Sequence, residues 1–488
     1  MSGWSDINIR LITKFIGILL MLLTFFMALS ALWSWYYNEE EALRSLAMGG
    51  GITFFSGFLL FIFARKNDHR NIGKKEGYLI VTLTWLSISA FGALPFYLNH
   101  TIPSYTDAFF ETISGFTTTG ASILTDIESV SKGLLFWRSM THWLGGMGII
   151  VLTLAILPIL GVGGMQLFVA EAPGTTPSRL HPRIAETAKR LWGIYFLITG
   201  VQTILLMLGD MSLFDALNHA FSTMATGGFS TKNDSVAGFS PYIQYVIIFF
   251  MILAGTNFSL HYFALKGQLG KVFKNEEYRF YLSVMGIFTL VIATVIFLSS
   301  QFGFEKAFRD SLFQVVSIVT TTGFVSTDYL QWEGSLWFLL FLLMFTGGCI
   351  GSTGGGIKMI RHLVLLKNVR LEFKRLIHPM AVIPVRINGK TIPSEIIHNF
   401  LAFFMIYVII VGLGSVVMAV IGLDFISAVG ATVATLGNVG PGIGSVGPVF
   451  NYAHIPDVGK WVLSFLMLLG RLELFTVLLI LTPGFYRK

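Results

Sequence analysis

Four short stretches of the chain place a threonine two residues before a glycine, a pattern suited to holding a bare metal cation with backbone oxygens. They read DAFFETISGFTTTG, DALNHAFSTMATGG, DSLFQVVSIVTTTG and DFISAVGATVATLG. Each opens on an aspartate, Asp107, Asp215, Asp310 or Asp424, and reaches a glycine thirteen residues on, Gly120, Gly228, Gly323 or Gly437. Thr118, Thr226, Thr321 and Thr435 stand two positions before those glycines, and Thr119, Gly227, Thr322 and Leu436 stand between. Asn438 follows the fourth glycine. Glycine takes backbone angles that other residues avoid and lets carbonyl oxygens crowd a ligand. Four such turns around one axis would form a ring of oxygens able to replace the hydration shell of a permeant cation. One copy is a generic turn; four copies in register are one device.

The elements that position these turns follow from composition. The 488-residue chain is 54% hydrophobic and 12% charged, with a mean hydropathy of +0.72. Soluble domains carry about 25% charged residues, so the chain is read as an integral membrane protein. Its long apolar runs point to helices rather than to the alternating pattern of a membrane β-barrel. Leu11 to Tyr37 is too long for a cleavable signal and reads as a first spanning helix. The single cysteine, Cys349, excludes an intramolecular disulfide. Ten segments are long enough to cross a bilayer: 10–37, 48–64, 77–98, 134–160, 190–209, 242–265, 279–299, 334–357, 397–421 and 460–482. Most of the 33 basic residues cluster in alternate connectors and at the two ends, including Arg65, Lys66, Arg70, Arg179, Arg183, Lys266, Lys271, Lys274, Lys367 and Arg370. Glu39, Glu40, Glu41, Asp126, Glu128, Asp234 and Asp328 occupy the others. This positive-inside distribution places both termini in the cytosol and explains the net charge of +7 without nucleic acid.

Each Asp-to-Gly stretch comes after an outside connector and is too short to span. Aspartate suits a helix N-cap, and about eleven helical residues rise roughly 16 Å, half the hydrocarbon core. The helix then ends at mid-membrane with its negative pole inward. The chain returns as non-helical backbone, which membranes tolerate only inside protein or along a water-filled path. The expected fold is an all-α polytopic membrane protein. A two-helix extension (1–70) precedes four units of helix, re-entrant pore loop and helix, at 71–165, 166–270, 271–375 and 376–488, arranged around a pseudo-fourfold pore.

Four such units with one glycine in each short filter resemble the Trk/Ktr/HKT superfamily of potassium transporters. The added helices and the length are similar to the TrkH/TrkG-type subunits of the bacterial Trk uptake system. The resemblance covers nearly the whole chain. It implies potassium uptake across a bacterial inner membrane, with potassium ions held at the filter residues named above and no covalently bound cofactor. Glycine at all four filter positions, Gly120 included, is similar to the potassium-selective members. The resemblance also implies a homodimer in membrane lipid and a cytosolic regulatory ring partner that carries the nucleotide.

Two further features bear on conduction. FTGGCIGSTGGGIK carries Gly347, Gly348, Gly351, Gly354, Gly355 and Gly356. Each glycine costs a helix interior about 1 kcal/mol relative to alanine, so the segment should break in mid-membrane, unless it serves close helix packing. It resembles the family's intramembrane gating loop. Arg471 lies within the last apolar segment, where an ionisable residue is a functional candidate. It reads as a fixed positive barrier below the filter, with a structural ion pair to another helix as the alternative. Family members carry a basic residue there. A proton- or sodium-coupled symporter on the same scaffold would need a deep carboxylate, for which Glu111 and Glu473 are the candidates. GIGSVG (Gly442 to Gly447) lacks the strand and helix of a dinucleotide site. His142, His219 and His261 show no metal-ligand spacing, and no nucleophile motif marks an enzyme.

Overall fold

The computed structural model describes residues 7–64, 74–156, 184–299, 303–332, 336–381 and 383–486. The expected boundaries at 70/71 and 165/166, and the basic residues Arg65, Lys66, Arg70, Arg179 and Arg183, lie outside the described residues. The other two boundaries fall inside helices, at Leu269–Phe273 and Met359–Ile377.

Two helices, Ile9–Tyr36 and Glu40–Phe63, form the N-terminal extension. They touch at a glycine pair: a Cβ on Gly17 would lie 2.6 Å from the Gly57 carbonyl oxygen, and one on Gly57 would lie 2.7 Å from that of Gly17. Lipid supplies little hydrophobic drive between helices, so close backbone approach at small residues must hold the pair. The connector between the two helices docks the extension onto the first pore unit. The Glu39 carboxylate accepts from the Lys132 and Gly133 amides at 2.7 and 3.1 Å, capping a helix far along the chain.

Beyond the extension the chain builds four units, each with an outer helix, a short pore helix and an inner helix. The outer helices are Lys74–Gly92 continued by Leu94–Leu98, then Ile184–Met207, Glu276–Ser299 and Ser394–Ile421. The pore helices are Tyr105–Phe116, Leu213–Met224, Phe304–Val319 and Phe425–Leu436. Among the described residues six helices are long and apolar enough to cross a membrane, and two further pairs qualify as bent spans.

Two inner helices depart from the expected straight spans. In the second unit Pro241–Ala254 meets Phe258–Leu265 at 104°, and in the fourth Asp457–Arg471 meets Leu474–Leu481 at 119°. Apolar runs conceal such bends, because hydropathy measures composition and not helical continuity. At the first bend Asn257 caps the new helix, its side chain accepting from the Ser259 amide at 2.8 Å. At the second, Glu473 takes φ 61°, a value that a non-glycine residue holds only under local constraint. In the first unit Lys132–Ile156 is interrupted at Gly148, with φ 75° and ψ 137°. In the third, Leu336–Leu343 and Met359–Ile377 flank a non-helical segment, the break expected from its glycines.

Among the described residues the chain is all-α apart from one antiparallel hairpin, Arg386–Ile387 with Lys390–Thr391. Its turn residues Asn388 and Gly389 have φ 49° and 77°, the left-handed pair that an Asn-Gly turn favours. Valine at Gly57 should lower the stability of the detergent-solubilised protein by about 1–3 kcal/mol through overpacking. Valine at Gly51, where an added Cβ meets nothing within 4 Å, should leave the thermal midpoint unchanged. Equal midpoints for the two variants would remove the glycine contact as the element holding the extension together.

Candidate functional site

The four pore helices start by different caps, which alters the expected register. Ser104 and Ser212 are the N-caps in the first two units, accepting from the amides of Asp107 and Asp215. Asp107 and Asp215 thus stand three residues inside, not at the cap. Asp424 is the N-cap in the fourth unit and accepts from the Ser427 amide at 3.2 Å. Serine and aspartate have exchanged places within the same first turn, since either oxygen can serve. The third helix is longer, starts after Gly303 and carries Asp310 in its second turn.

Counting from the caps, the helices end alike. Thr117, Ala225, Thr320 and Gly437 are their C-caps. The next residues, Thr118, Thr226, Thr321 and Asn438, have φ of 52°, 55°, 59° and 52°. Their amides donate back to Gly115, Thr223, Ile318 and Thr435. The amides one further on, at Thr119, Gly227, Thr322 and Val439, donate to Ser114, Ser222, Ser317 and Ala434. This paired pattern is the Schellman closure of a helix. Two residues beyond each left-handed position stands a glycine of positive φ: Gly120 at 82°, Gly228 at 81°, Gly323 at 77° and Gly440 at 93°.

The fourth turn therefore uses Asn438 and Gly440 in place of the expected Thr435 and Gly437. Thr435 and Leu436 are still helical, and Gly437 has φ −77° as the C-cap. The Thr-x-Gly match there belongs to the helix end. Asparagine tolerates the left-handed region better than threonine does, so the fourth unit makes the same turn with different letters.

The glycines close a circle. A Cβ on Gly120 would overlap the Gly227 carbonyl oxygen, one on Gly228 that of Thr322, one on Gly323 that of Val439, and one on Gly440 that of Thr119. Each segment thus abuts the next, and the fourth abuts the first. Only glycine satisfies both the backbone angle and the approach at these seams.

The walls behind the ring differ by unit. Thr117 and Thr119 share a hydroxyl contact of 2.7 Å, as do Thr320 and Thr322. In the second unit Gly227 leaves room for His142, whose ring stacks on Phe229 at 3.9 Å. Arg138 also packs on Phe229, its guanidinium 3.5 Å from the ring centroid. It pairs with Glu111 at 2.6 Å with both side chains almost wholly buried, and donates to the Ser230 carbonyl. Glu111 also accepts from the Ile123 amide just past the first ring segment. Asn438 donates to the Thr119 hydroxyl and to the Met467 carbonyl, both at 2.9 Å. The buried Thr118 hydroxyl has no hydrogen-bond partner among the described residues. At the outer mouth Asn233 donates to Asp126 at 3.0 Å and holds that carboxyl below its usual range.

Residues 344–358 lie against the pore-helix C-termini. A Cβ on Gly354 would sit 3.0 Å from the Thr320 carbonyl oxygen, one on Gly355 2.6 Å from Asn438, and one on Gly356 3.3 Å from the Gly437 oxygen. The Gly355 amide donates to the Thr321 hydroxyl at 2.7 Å. Thr353 donates through its hydroxyl to Met224 and Ala254, and the Cys349 amide donates to Gly255. Gly348 packs on Gly255, Gly351 beside Asn257, and Gly347 against the Gly355 carbonyl. The loop thereby takes up carbonyls freed by the bend in the second inner helix. Glu277 accepts from the amides of Ile350 and Ile360, at 2.7 and 3.1 Å, and ties both limbs together.

Arg471 ends its helix at the 119° bend and is not deep within a continuous span. It donates to the carbonyls of Gly145, Gly146 and Thr353, joining the first inner helix to the loop. Glu473 pairs with Arg361 at 2.5 Å. Arg138, His142, Phe229, Glu277, Arg361 and Gly440 were not singled out from sequence as site residues. The intramembrane charges among them were visible, but their partners are far apart in the chain.

The family model described as TrkH, cation transport protein, matches residues 47–483. The chain is 41% identical to the Trk system potassium uptake protein TrkH of Salmonella typhimurium, over 99% of this chain and 100% of that one. It is 30% identical to the Trk system potassium uptake protein TrkG of Escherichia coli, over 99% of both. The crystal structure of the potassium transporter TrkH from Vibrio parahaemolyticus superposes with a TM-score of 0.88 at 38% identity, covering 99% of this chain and 100% of that one. These are membrane transport proteins and not enzymes, and with this fold and ring the chain belongs to the TrkH family of cation transport proteins.

Proposed function

We propose that the chain carries potassium ions through the ring formed by Gly120, Gly228, Gly323 and Gly440. The closed circle of glycine-to-carbonyl contacts carries this reading. Backbone oxygens around those seams, with the Thr118 hydroxyl beside them, are the hard ligands that an alkali cation takes in exchange for water. Potassium as the cargo follows the names of the relatives. The third-unit loop is the gate in this reading, because it packs under two ring segments and hangs from the second unit. Arg471 adds a positive charge beside that gate. Glu111 and Glu473, the carboxylates that coupled symport would require, are each held in an ion pair, which favours channel-like conduction over coupling. The alternation of basic and acidic connectors supports an inner-membrane orientation with cytosolic termini. A second copy of the chain and a cytosolic nucleotide-binding ring complete the assembly in this proposal. The basic cytosolic connectors offer the ring its surface.

The test is rubidium and sodium flux into liposomes with and without ion gradients. Serine at Gly323 or Gly440 should cut the potassium-to-sodium discrimination by about tenfold or more, a change of about 1.4 kcal/mol. Alanine at Gly412, where an added Cβ would meet nothing within 4 Å, should retain it. Retained discrimination in both serine variants would remove the ring from selectivity. Shortening Gly347 to Gly356 should raise rubidium flux by removing the plug, and Arg471→Ala should raise it severalfold or more by removing a fixed positive charge that opposes a passing cation. Flux at or below wild type from folded protein would count against the gate. Glu111→Gln should destabilise the protein by about 3–5 kcal/mol, because it strands the buried Arg138 charge. Glu111→Gln combined with Arg138→Met should recover much of that loss in a thermal-inactivation assay. Flux in the double variant that remains independent of proton and sodium gradients supports conduction; loss of a gradient dependence present in wild type would point to coupling through Glu111.

A further inference from the structure

We propose that a groove in the second unit binds the headgroup of an anionic phospholipid, and that the bound lipid steadies the elbow from which the third-unit loop hangs. The groove has a volume of about 260 Å³ and is lined by Arg190, Ile194, Leu197, Tyr262, Leu265 and Lys266. It lies between the outer helix Ile184–Met207 and the second half of the bent inner helix, Phe258–Leu265. Gly193 also lines it and faces open space, since an added Cβ there would meet nothing within 4 Å.

Depth in the membrane comes from the outer helix, whose apolar span runs Lys189–Met207. Arg190 therefore sits at the edge of the hydrocarbon, on the side that the basic connectors mark as cytosolic. Two cations converge on one tyrosine. The Lys266 ammonium is 4.7 Å from the Tyr262 ring centroid and the Arg190 guanidinium is 5.7 Å from it. Arg190 also donates to the Tyr262 hydroxyl at 3.1 Å, which fixes its fork toward the groove's edge. Basic pockets between membrane helices on this side suit anionic headgroups.

The apolar half of the groove selects a lipid over a free phosphate. Leu197 and Leu265 are exposed, and the same outer helix continues into the bilayer with exposed Phe196, Val201 and Ile204. An acyl chain can run along that strip while the phosphate stays at the cations. The segment after Lys266 has the composition of an interfacial helix, with Leu269 and Phe273 exposed and Lys271 and Lys274 beside them.

The groove is mechanically close to the loop. Phe258–Leu265 is a single eight-residue helix. Its first amide, at Phe258, donates to the Gly351 carbonyl at 3.0 Å. The residues before it, Ala254 and Gly255, accept from Thr353 and Cys349. A ligand gripping Tyr262 and Lys266 thus holds one end of a short rod whose other end anchors the loop. This second step rests on the loop being the gate, as proposed above; the binding step does not.

Native mass spectrometry of detergent-released protein, exposed in turn to phosphatidylglycerol, phosphatidylethanolamine and inorganic phosphate, tests the binding. Wild type should retain phosphatidylglycerol in preference to the other two. Arg190→Gln with Lys266→Gln should weaken that retention about 30-fold, on the order of fivefold for each basic residue near the surface. Both side chains are exposed, and an unchanged thermal midpoint confirms that the variant is folded. Equal retention by variant and wild type, or retention of inorganic phosphate alone, overturns the lipid site. Rubidium flux in vesicles with and without phosphatidylglycerol tests the consequence. Wild-type flux should change with the lipid, and the double variant should lose that response. A response that persists in the variant overturns the link to the loop, while absence of flux from every vesicle counts against the conduction reading and leaves the binding result standing.

Discussion

Backbone that leaves a helix at membrane depth must find every hydrogen bond within the protein, and the ring is the place where this chain meets that demand four times. Each pore helix ends in the same Schellman closure, which returns two amides to the last turn. The closure requires a left-handed residue, and three units place threonine there. A β-branched residue in that region is strained by about 1–3 kcal/mol. The strain persists because the next segment leaves no other position: each glycine after it is in contact with a neighbouring carbonyl. The circle and the strained turns hold each other, and removal of one seam loosens the rest.

The inner helices extend the same logic below the ring. Each breaks, and a broken helix exposes carbonyls that have lost their i+4 donors. The breaks solve this between units. Thr353 and Cys349 of the third unit serve Ala254 and Gly255 of the second, while Arg471 of the fourth serves Gly145 and Gly146 of the first and Thr353 of the third. The loop is therefore held by polar groups along most of its length, with Met344, Cys349 and Ile357 as its apolar anchors. The polar contacts can exchange for water if a path opens, so a segment of this kind suits a movable element better than a greasy plug would.

Much of this was legible from residue types. The apolar runs marked the membrane helices, and the repeated Asp-to-Gly stretches revealed the four units. The glycine-rich third inner helix breaks where its composition says it should. What sequence misread at the ring has one cause, the interchangeability of local solutions. Serine and aspartate both cap a helix, so Asp424 aligned with the wrong turn, and asparagine does the work of threonine at Asn438, so the true glycine at Gly440 was passed over. The bends at Gly255 and Leu472 were hidden by unbroken hydropathy. The partners of Glu277 and Glu473 could not be read at all, because they lie in other units of the chain or in its broken third inner helix.

The ring also shows how far the fourfold pattern extends. The glycine seams repeat in all four units, but the braces behind them have a two-fold plan. Segments one and three lie opposite each other in the circle and carry the matching Thr117–Thr119 and Thr320–Thr322 contacts. Segments two and four lack that pair and are propped from outside, by His142 stacked on Phe229 and by Asn438 bonded to Thr119 and Met467. One diagonal is thus stiffened from within each segment and the other depends on neighbouring helices. The first diagonal reports on pore-helix integrity. The second is coupled to the first and fourth inner helices, which carry Gly145, Gly146 and Arg471. A displacement near the loop therefore reaches the ring by two routes, directly at Thr321 on the first diagonal through the Gly355 amide, and along the second diagonal through His142 and through Met467, four residues before Arg471.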